Sequence, residues 1–581
     1  MTANVLLTPG LLLIATGLLL STVSGWRQRL LVLLLPPVAM WQLWSLTFDN
    51  GWNAHVAGFS LQLLHLTSAG RLFACAFIIA LWLGGMFALN SASRSELASA
   101  FVYAGSAISV TLCGDLISLF IFWELMAISS TLVIWAARTT QSWHAGLRYL
   151  LIHLAGGVLL LSGIAGLAVG GSDLSMGLIQ SDGLARWLIF AGFLVNAGAP
   201  PFSYWIADAY PTSSPTGMVF LAAFTTKTAV YVLISYFAGE TLLIPIGLYM
   251  AIYGVIYALR ENNIRRILAY SIVNQVGFMI TAVGIGSTTA INGATAHAFA
   301  HILYKTVLLM GAGSVLLSVG KEKCCELGQL AHKMPWTTAC VVIGAAASMG
   351  VPLTSSFITK SLILQSAAEQ HLSWVWLILT ACSAAVVFNA GIRFPYLTYF
   401  QPRQSTAIEH GRDPDNVARL AMLLGACLCV AVGVFPQQFY TLLPNVAIYH
   451  PYTLAHIIEQ LQLLIPAALI FFITLPLLTP QQRIQLDWDW FLRRPLLVGW
   501  QDIILHLFSV GLHSRDFIVT ALIRGFKFIF RHYGPRGILS RSWPTGNIAL
   551  WVAFILASYV ALYSLQNHNF ATYIHRYIGG G

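Results

Sequence analysis

The sequence predicts an all-α polytopic membrane protein, and three observations carry that prediction. Only 9% of the 581 residues are charged and 57% are hydrophobic, whereas a soluble domain typically carries about 25% charged residues. The mean hydropathy is +0.75. Apolar runs of about twenty residues, the length that crosses a bilayer as a helix, recur along the chain. These features exclude a soluble enzyme, a collagen, a disordered linker and a disulfide scaffold. A membrane β-barrel would alternate polar and apolar residues over about ten positions, but runs such as Leu159 to Val169 are apolar on every face.

Taken in order, the runs give about sixteen transmembrane spans. They lie near residues 4–24, 28–47, 70–91, 99–113, 115–136, 145–170, 185–206, 215–238, 242–259, 267–286, 290–318, 336–370, 374–400, 417–437, 455–478 and 547–566. The first lacks a basic flank and a small-residue cleavage site, so it reads as an uncleaved span rather than a signal peptide. Lys and Arg fall in alternate loops, at Arg27, Arg29, Arg94, Arg138, Arg260, Arg265, Arg266, Lys321, Lys323, Lys333, Arg403 and Arg412 and from Arg483 onward. Segments 48–68, 171–183, 239–241, 287–289, 366–373 and 438–452 contain neither residue. The positive-inside rule then puts the basic loops in the cytoplasm and both termini outside. The net charge of +10 is therefore topological and calls for no nucleic-acid partner.

The chain divides into N-terminal helices (1–98), a core (99–400), C-terminal core helices (401–478), a basic segment (479–546) and a final span with its tail (547–581). In the basic segment Ile503, Ile504, Leu507, Phe517, Ile518, Ala521, Leu522 and Phe526 recur at helical spacing among His and Arg. That pattern fits helices lying in the membrane interface or along a neighbouring subunit. The eight cysteines have no spacing suited to zinc or an iron–sulfur cluster. No nucleophilic triad, P-loop or phosphate-cradling glycine motif occurs. No cofactor, metal or catalytic site of the chain's own is expected.

A charge at the middle of a span costs roughly 2.5–3.5 kcal/mol on insertion scales, so each needs a partner, water or a function. Few residues qualify. Glu124 is central in the fifth span, His153 in the sixth and Lys227 in the eighth, and Lys360 lies in the twelfth. His297, His301 and Lys305 follow at i, i+4, i+8 in the eleventh and make a polar stripe on one helical face. A row of carboxylate, imidazole and amine groups is what a proton relay requires, since each member must accept and release a proton as its neighbour's charge changes. The alternative for any one of them is an interhelical polar contact. His297 and His301 have metal-ligand spacing, but no nearby carboxylate completes a site.

Two spans carry helix breakers: Gly198-Ala199-Pro200-Pro201 in the seventh and Gly350-Val351-Pro352 in the twelfth. Paired interruptions five spans apart point to two inverted five-helix repeats, spans 4–8 and 9–13, with a transport site near the bilayer midplane.

Over about residues 65–400 the chain resembles the antiporter-like subunits shared by Mrp-type cation/proton antiporters and the membrane arm of respiratory complex I. The resemblance is carried by Gly114-Asp115-Leu116 through Phe122-Trp123-Glu124-Leu125-Met126, Arg148-Tyr149-Leu150 with His153, and Asp208-Ala209-Tyr210-Pro211. It continues through Thr225-Thr226-Lys227-Thr228-Ala229-Val230-Tyr231, Arg266-Ile267-Leu268-Ala269-Tyr270-Ser271, His301 to Lys305, and Phe357-Ile358-Thr359-Lys360. Gly198-Ala199-Pro200-Pro201-Phe202 and Leu486-Asp487-Trp488-Asp489-Trp490 are most similar to the long D-type members of the Mrp antiporters. The resemblance implies a midplane relay with Glu124 at the entrance, Lys227 at the centre, His301 and Lys305 as connectors and Lys360 at the exit. His153, His297, Asp115, Arg148 and Asn196 would support it.

Asn196 stands where the family has a lysine, and Ser203 and Thr212 stand where it has His and Glu. The expected function is a proton-translocating subunit of a multisubunit bacterial inner-membrane complex, with H+ and Na+ as candidate ions and lipid as surroundings. The alternatives are a pump module of a complex-I-like dehydrogenase or membrane-bound hydrogenase, and a coupling subunit with a degenerate channel. Fold-level kinship also admits an ion-driven partner for inorganic-carbon uptake.

Overall fold

A computed structural model describes residues 8–48, 51–56, 59–180, 183–402, 411–447, 449–478, 551–552, 554–556 and 558. The expected basic segment 479–546 and most of the final span lie outside the described residues. Contacts divide the chain into one unit over Met1–Asp487 and another over Trp488–Gly581. In the second unit, 551–552 and 554–556 are helical, with Trp551 packed edge-on to Phe554.

Among its described residues the first unit is built of helices apart from one hairpin. It opens with α1 (Pro9–Leu20) and α2 (Trp26–Ser45), followed by β1 (Gly51–Val56) and β2 (Phe59–His65). These strands pair antiparallel, with Gly51 opposite His65 and Val56 opposite Phe59. Then come α3 (Ser68–Ala88), α4 (Arg94–Leu112), α5 (Leu116–Trp135), α6 (Thr140–Val169), α7 (Leu184–Ala197), α8 (Tyr204–Ala209), α9 (Gly217–Ala223) and α10 (Thr225–Phe237). The series is repeated by α11 (Leu243–Arg260), α12 (Ile264–Ile285), α13 (Thr288–Val319), α14 (Pro335–Met349), α15 (Ser355–Glu369) and α16 (Ser373–Val386), with π-helical turns continuing α16 to Phe400. The unit closes with α17 (Asn416–Val434), α18 (Pro436–Tyr440) and α19 (Leu454–Thr474).

Among the described residues ten helices are long and apolar enough to cross a membrane, and Pro9–Leu20, Leu184–Ala197 and Pro335–Met349 are shorter apolar helices. The short ones have a physical cause in two cases. α7 and α14 each end on a left-handed glycine, Gly198 at φ +75° and Gly350 at φ +80°, whose N–H returns to carbonyls of the last turn. Prolines follow at Pro200, Pro201 and Pro352. Glycine adopts this conformation without a Cβ clash, and proline cannot continue the ladder. The seventh and twelfth spans are therefore half-helix pairs, α7/α8 and α14/α15, each fourth in its series.

Two features differ from the sequence reading. Residues 51–56 and 59–65, within the loop 48–68 between the second and third spans, form the two strands of a hairpin. It is held by Gly114 N–H to the Gln62 carbonyl at 2.8 Å and Gln62 N–H to Asp115 Oδ2 at 2.6 Å, contacts made by residues distant in sequence. The eighth span is also split, into α9 and α10, with Phe224 at φ −102°, ψ −72° between them. No proline stands at this second break.

α10 and α12 are enclosed along their whole apolar length. α13, 32 residues long, packs against α3, α9, α12, α14, α15 and α17. The core therefore sits where α10, α12 and α13 meet.

Candidate functional site

The central polar groups lie on those enclosed helices and on the broken ones. Lys227 is the third residue of α10 and is fully buried. Its ammonium donates to the Ala222 carbonyl at 2.6 Å and to Thr226 Oγ1 at 3.1 Å. Ala222 belongs to the last turn of α9, where helix carbonyls lack partners and carry partial negative charge. Lys360 repeats the device. It stands on α15 and donates to the Ser348 carbonyl at the end of α14, at 2.9 Å, with the Phe278 ring face 5.9 Å away. Each break thus leaves carbonyls that hold an ammonium without any carboxylate.

On α13 the predicted stripe is buried in full. Lys305 donates to Ser271 Oγ at 2.8 Å and to the Leu268 carbonyl at 3.3 Å. His297 Nε2 lies 2.9 Å from Gln275 Oε1, which also accepts from the Tyr304 hydroxyl at 3.2 Å. An amide oxygen only accepts, so His297 carries its proton on Nε2, and Nδ1 accepts from the Thr359 hydroxyl at 3.0 Å. Thr359 adjoins Lys360 in sequence. Between these two groups, both ring nitrogens of His301 are buried without a hydrogen-bond partner.

The Glu124 side is built differently. Glu124 is half-buried on α5, and its Oε1 is enclosed without a hydrogen-bond partner. It rests against Gly157 of α6, where a Cβ would come within 1.9 Å of Oε1. Asn196 on α7, beside Gly156, is fully buried with neither side-chain polar atom paired. His153, also on α6, donates from Nδ1 to the Tyr149 carbonyl, 2.8 Å away, and leaves Nε2 unpaired. Its ring stacks on Tyr149 at 3.9 Å. The Tyr149 hydroxyl is 3.3 Å from Thr225 Oγ1, which is 2.6 Å from the Tyr103 hydroxyl. Thr225 opens the helix that carries Lys227, so hydroxyls link the His153 neighbourhood to the start of α10.

Asp115 and Arg148 lie apart from this row. Asp115 is the N-cap of α5, accepting from Ile117 N–H at 2.9 Å, Ser118 N–H at 2.8 Å and Gln62 N–H. Arg148 makes a two-pronged ion pair with Asp208 of α8, at 2.8 and 2.9 Å. Both positions organise the surrounding helices.

Sequence reasoning did not single out Gln275 and gave no role to Thr359, Ser271, Thr225 and Tyr304, which stand in the quoted motifs. Adjacent amides at Asn274-Gln275 within an apolar span are a signal that could have flagged the first, because buried amides need partners. Glu96 went unremarked, and Arg265 was read only as a loop charge. Glu96 accepts from Ser214 at 2.7 Å and from Thr216. Arg265 donates to the carbonyls of Pro211, Ser213 and Ser214 at 2.7–3.0 Å. Together they clamp the turn between α8 and α9. Among the described residues no group of three or more His, Cys, Asp or Glu is arranged to hold a metal ion.

Fold and site together define an integral multi-pass membrane protein built around a buried row of ionisable side chains, consistent with cation or proton translocation. Residues 113–386 match the family described as NADH:quinone oxidoreductase/Mrp antiporter, TM. The chain is 30% identical over 348 residues to NADH-quinone oxidoreductase subunit N of Desulforudis audaxviator, covering 55% of this chain and 69% of that protein. It is 27% identical over 373 residues to hydrogenase-4 component B of Escherichia coli (strain K12), covering 57% of this chain and 55%, about half, of that relative's length.

The fold is shared with a chain of the Mrp complex from Dietzia sp. DQ12-45-1b, at TM-score 0.68 and 17% identity over 80% of this chain and 98% of that one. It is also shared with a chain of the membrane-bound sulfane sulfur reductase, an archaeal respiratory membrane complex, at TM-score 0.69 and 21% identity over 96% and 100%. The chain belongs to the NADH:quinone oxidoreductase/Mrp antiporter family of membrane subunits. Its structural neighbours are parts of multisubunit membrane complexes.

Proposed function

We propose that the chain moves protons within a multisubunit complex of the bacterial inner membrane, with its basic loops in the cytoplasm and Na+ as a candidate coupling ion. The observation that carries this reading is the buried trio Lys227, Lys305 and Lys360. Each ammonium is held by carbonyl or hydroxyl oxygens and none by a carboxylate. A permanent ion pair would trap its proton in a low-dielectric interior. Carbonyl oxygens can accept from the ammonium, from a neutral amine or from water, and the Thr226 and Ser271 hydroxyls can also donate to the neutral amine. In this reading Glu124 receives protons, Lys227 is the central carrier, His301 and Lys305 connect, and Lys360 passes protons on. Residues 99–400 hold the relay as two five-helix repeats.

The test is Lys227→Ala in everted vesicles. Proton flux should be lost while the complex assembles in normal amount, and unchanged flux would sink the central-carrier role. A pump module of a redox-driven machine is the second reading, favoured by the likeness to hydrogenase-4 component B and to an oxidoreductase subunit. Affinity purification from native membranes separates the two. Small hydrophobic partners without cofactors favour the antiporter, and iron–sulfur, flavin or nickel subunits favour the redox machine. A coupling subunit with a degenerate channel is motivated by the unpaired Asn196, and unaltered transport in Asn196→Lys would support it.

A further inference from the structure

A cleft of about 1170 Å³ opens between α15, α16 and α19, walled by apolar side chains such as Trp376, Phe388 and Leu463. Polar side chains line it as well, among them Ser361 on α15, Thr380 on α16, and His456, Glu459 and Gln460 on α19. The α19 trio is spaced i, i+3, i+4 and therefore shares one helical face. Glu459 is exposed in an otherwise strongly apolar helix. A carboxylate placed there needs water or a function.

Two contacts join this face to the broken helix that holds Lys360. Gln460 Nε2 donates to the Met349 carbonyl at 3.3 Å, next to the Ser348 carbonyl that binds the Lys360 ammonium. Ser361, adjacent to Lys360, donates its hydroxyl to the Ile358 carbonyl at 3.0 Å and neighbours the Tyr449 side chain. The Tyr449 hydroxyl in turn stands 3.1 and 3.0 Å from Nδ1 and Nε2 of His456. The His456 ring is fixed edge-on to Phe357, centroids 6.1 Å apart. Polar groups thus run from the break at Gly350 to the cleft, and of these Tyr449, His456, Glu459 and Gln460 lie beyond the family-matched stretch 113–386.

We infer that His456 and Glu459 form a last proton-carrying station between Lys360 and water in the cleft. The inference rests on the reading of Lys227 and Lys360 as proton carriers. The Lys360 ammonium gives up one proton and becomes a neutral amine. The hydroxyls of Ser361 and Tyr449 each pass a proton and regain one, so neither changes charge. The neutral imidazole of His456 becomes imidazolium, then neutral again as the proton moves to the ionised Glu459 carboxylate. Glu459 returns to its anion by protonating water.

The experiment compares proton flux in everted vesicles carrying the whole complex for Lys227→Ala, His456→Ala, Glu459→Gln and Glu459→Asp, with complex amount read on native gels. His456→Ala and Glu459→Gln should each lose at least about 100-fold in flux, the lower end of what a positioned proton carrier contributes, while Glu459→Asp retains it. Wild-type flux in both, with Lys227→Ala inactive, overturns this station alone. Wild-type flux in Lys227→Ala overturns the underlying reading. A second measurement covers variants that fail to assemble. The thiol introduced by Glu459→Cys should react with a membrane-impermeant maleimide added from the side bearing loop 438–452. Reaction only with a lipid-soluble maleimide overturns the proposal.

Discussion

A single methyl group at Gly157 tests whether the position of the Glu124 carboxylate governs flux. A Cβ there would stand 1.9 Å from Glu124 Oε1 and 2.8 Å from its Cδ. Ordinary contact starts near about 3.4 Å, so Oε1 must retreat by about 1.5 Å. The displaced atom is the end of a flexible side chain, and alanine favours a helix interior over glycine by about 0.5–1 kcal/mol. Folding and assembly should therefore survive Gly157→Ala. Function should not, because a shift of about 1 Å in a reacting group can cost about 100-fold in rate.

Gly156→Ala is the matched control. Its Cβ would meet Val195 Cγ1 at 3.1 Å and Asn196 Oδ1 at 3.5 Å, a mild squeeze on α7 that leaves Glu124 in place. In everted vesicles reporting ΔpH with a fluorescent dye, Gly157→Ala should fall by about ten- to 100-fold and Gly156→Ala should stay near wild type. Equal flux from the two variants at equal complex levels would refute the assignment of Glu124 as the entrance.

Asp115→Ala should act on stability rather than on the relay. It removes an N-cap, at about 1 kcal/mol, and leaves the Gln62 N–H without its acceptor, at about 1–3 kcal/mol. The purified complex should show a lower Tm, partly restored by Asp115→Asn, and an unchanged Tm would remove the capping account. Cys324, in the turn after α13, is fully buried, and burial pushes its thiol up to about 12. The protonated form persists below that pH and only the thiolate reacts, so maleimide labelling of Cys324 should be absent from pH 7 to 9 and rise only as pH nears 12. Rapid labelling at pH 7 would show that the turn opens.

The half-helix pairs were legible because Gly198-Ala199-Pro200-Pro201 and Gly350-Val351-Pro352 act on their own backbone. The break at Phe224 was not. Its neighbours, Phe224-Thr225-Thr226, carry no strong helix breaker, and it is stabilised by the side chain of Lys227 reaching back to Ala222. The hairpin at 51–65 was missed for a similar reason. Its strands are short, and its partners, Gly114 and Asp115, lie about fifty residues away in sequence.

What the sequence determined by itself was local or compositional: the membrane environment from the scarcity of charge, and the His297, His301 and Lys305 face from the 3.6-residue period. Which buried positions would carry charge followed from the same reading, because the cost of a charge in a span depends on the span alone. Tertiary structure decided the partners. That Lys227 and Lys360 each take a carbonyl of a preceding half-helix, that His301 is left with two unpaired nitrogens, and that Gly157 gives room to Glu124 all depend on helices brought together from distant parts of the chain. Hydrogen bonds act over about 3 Å, and only the packed fold sets distances on that scale.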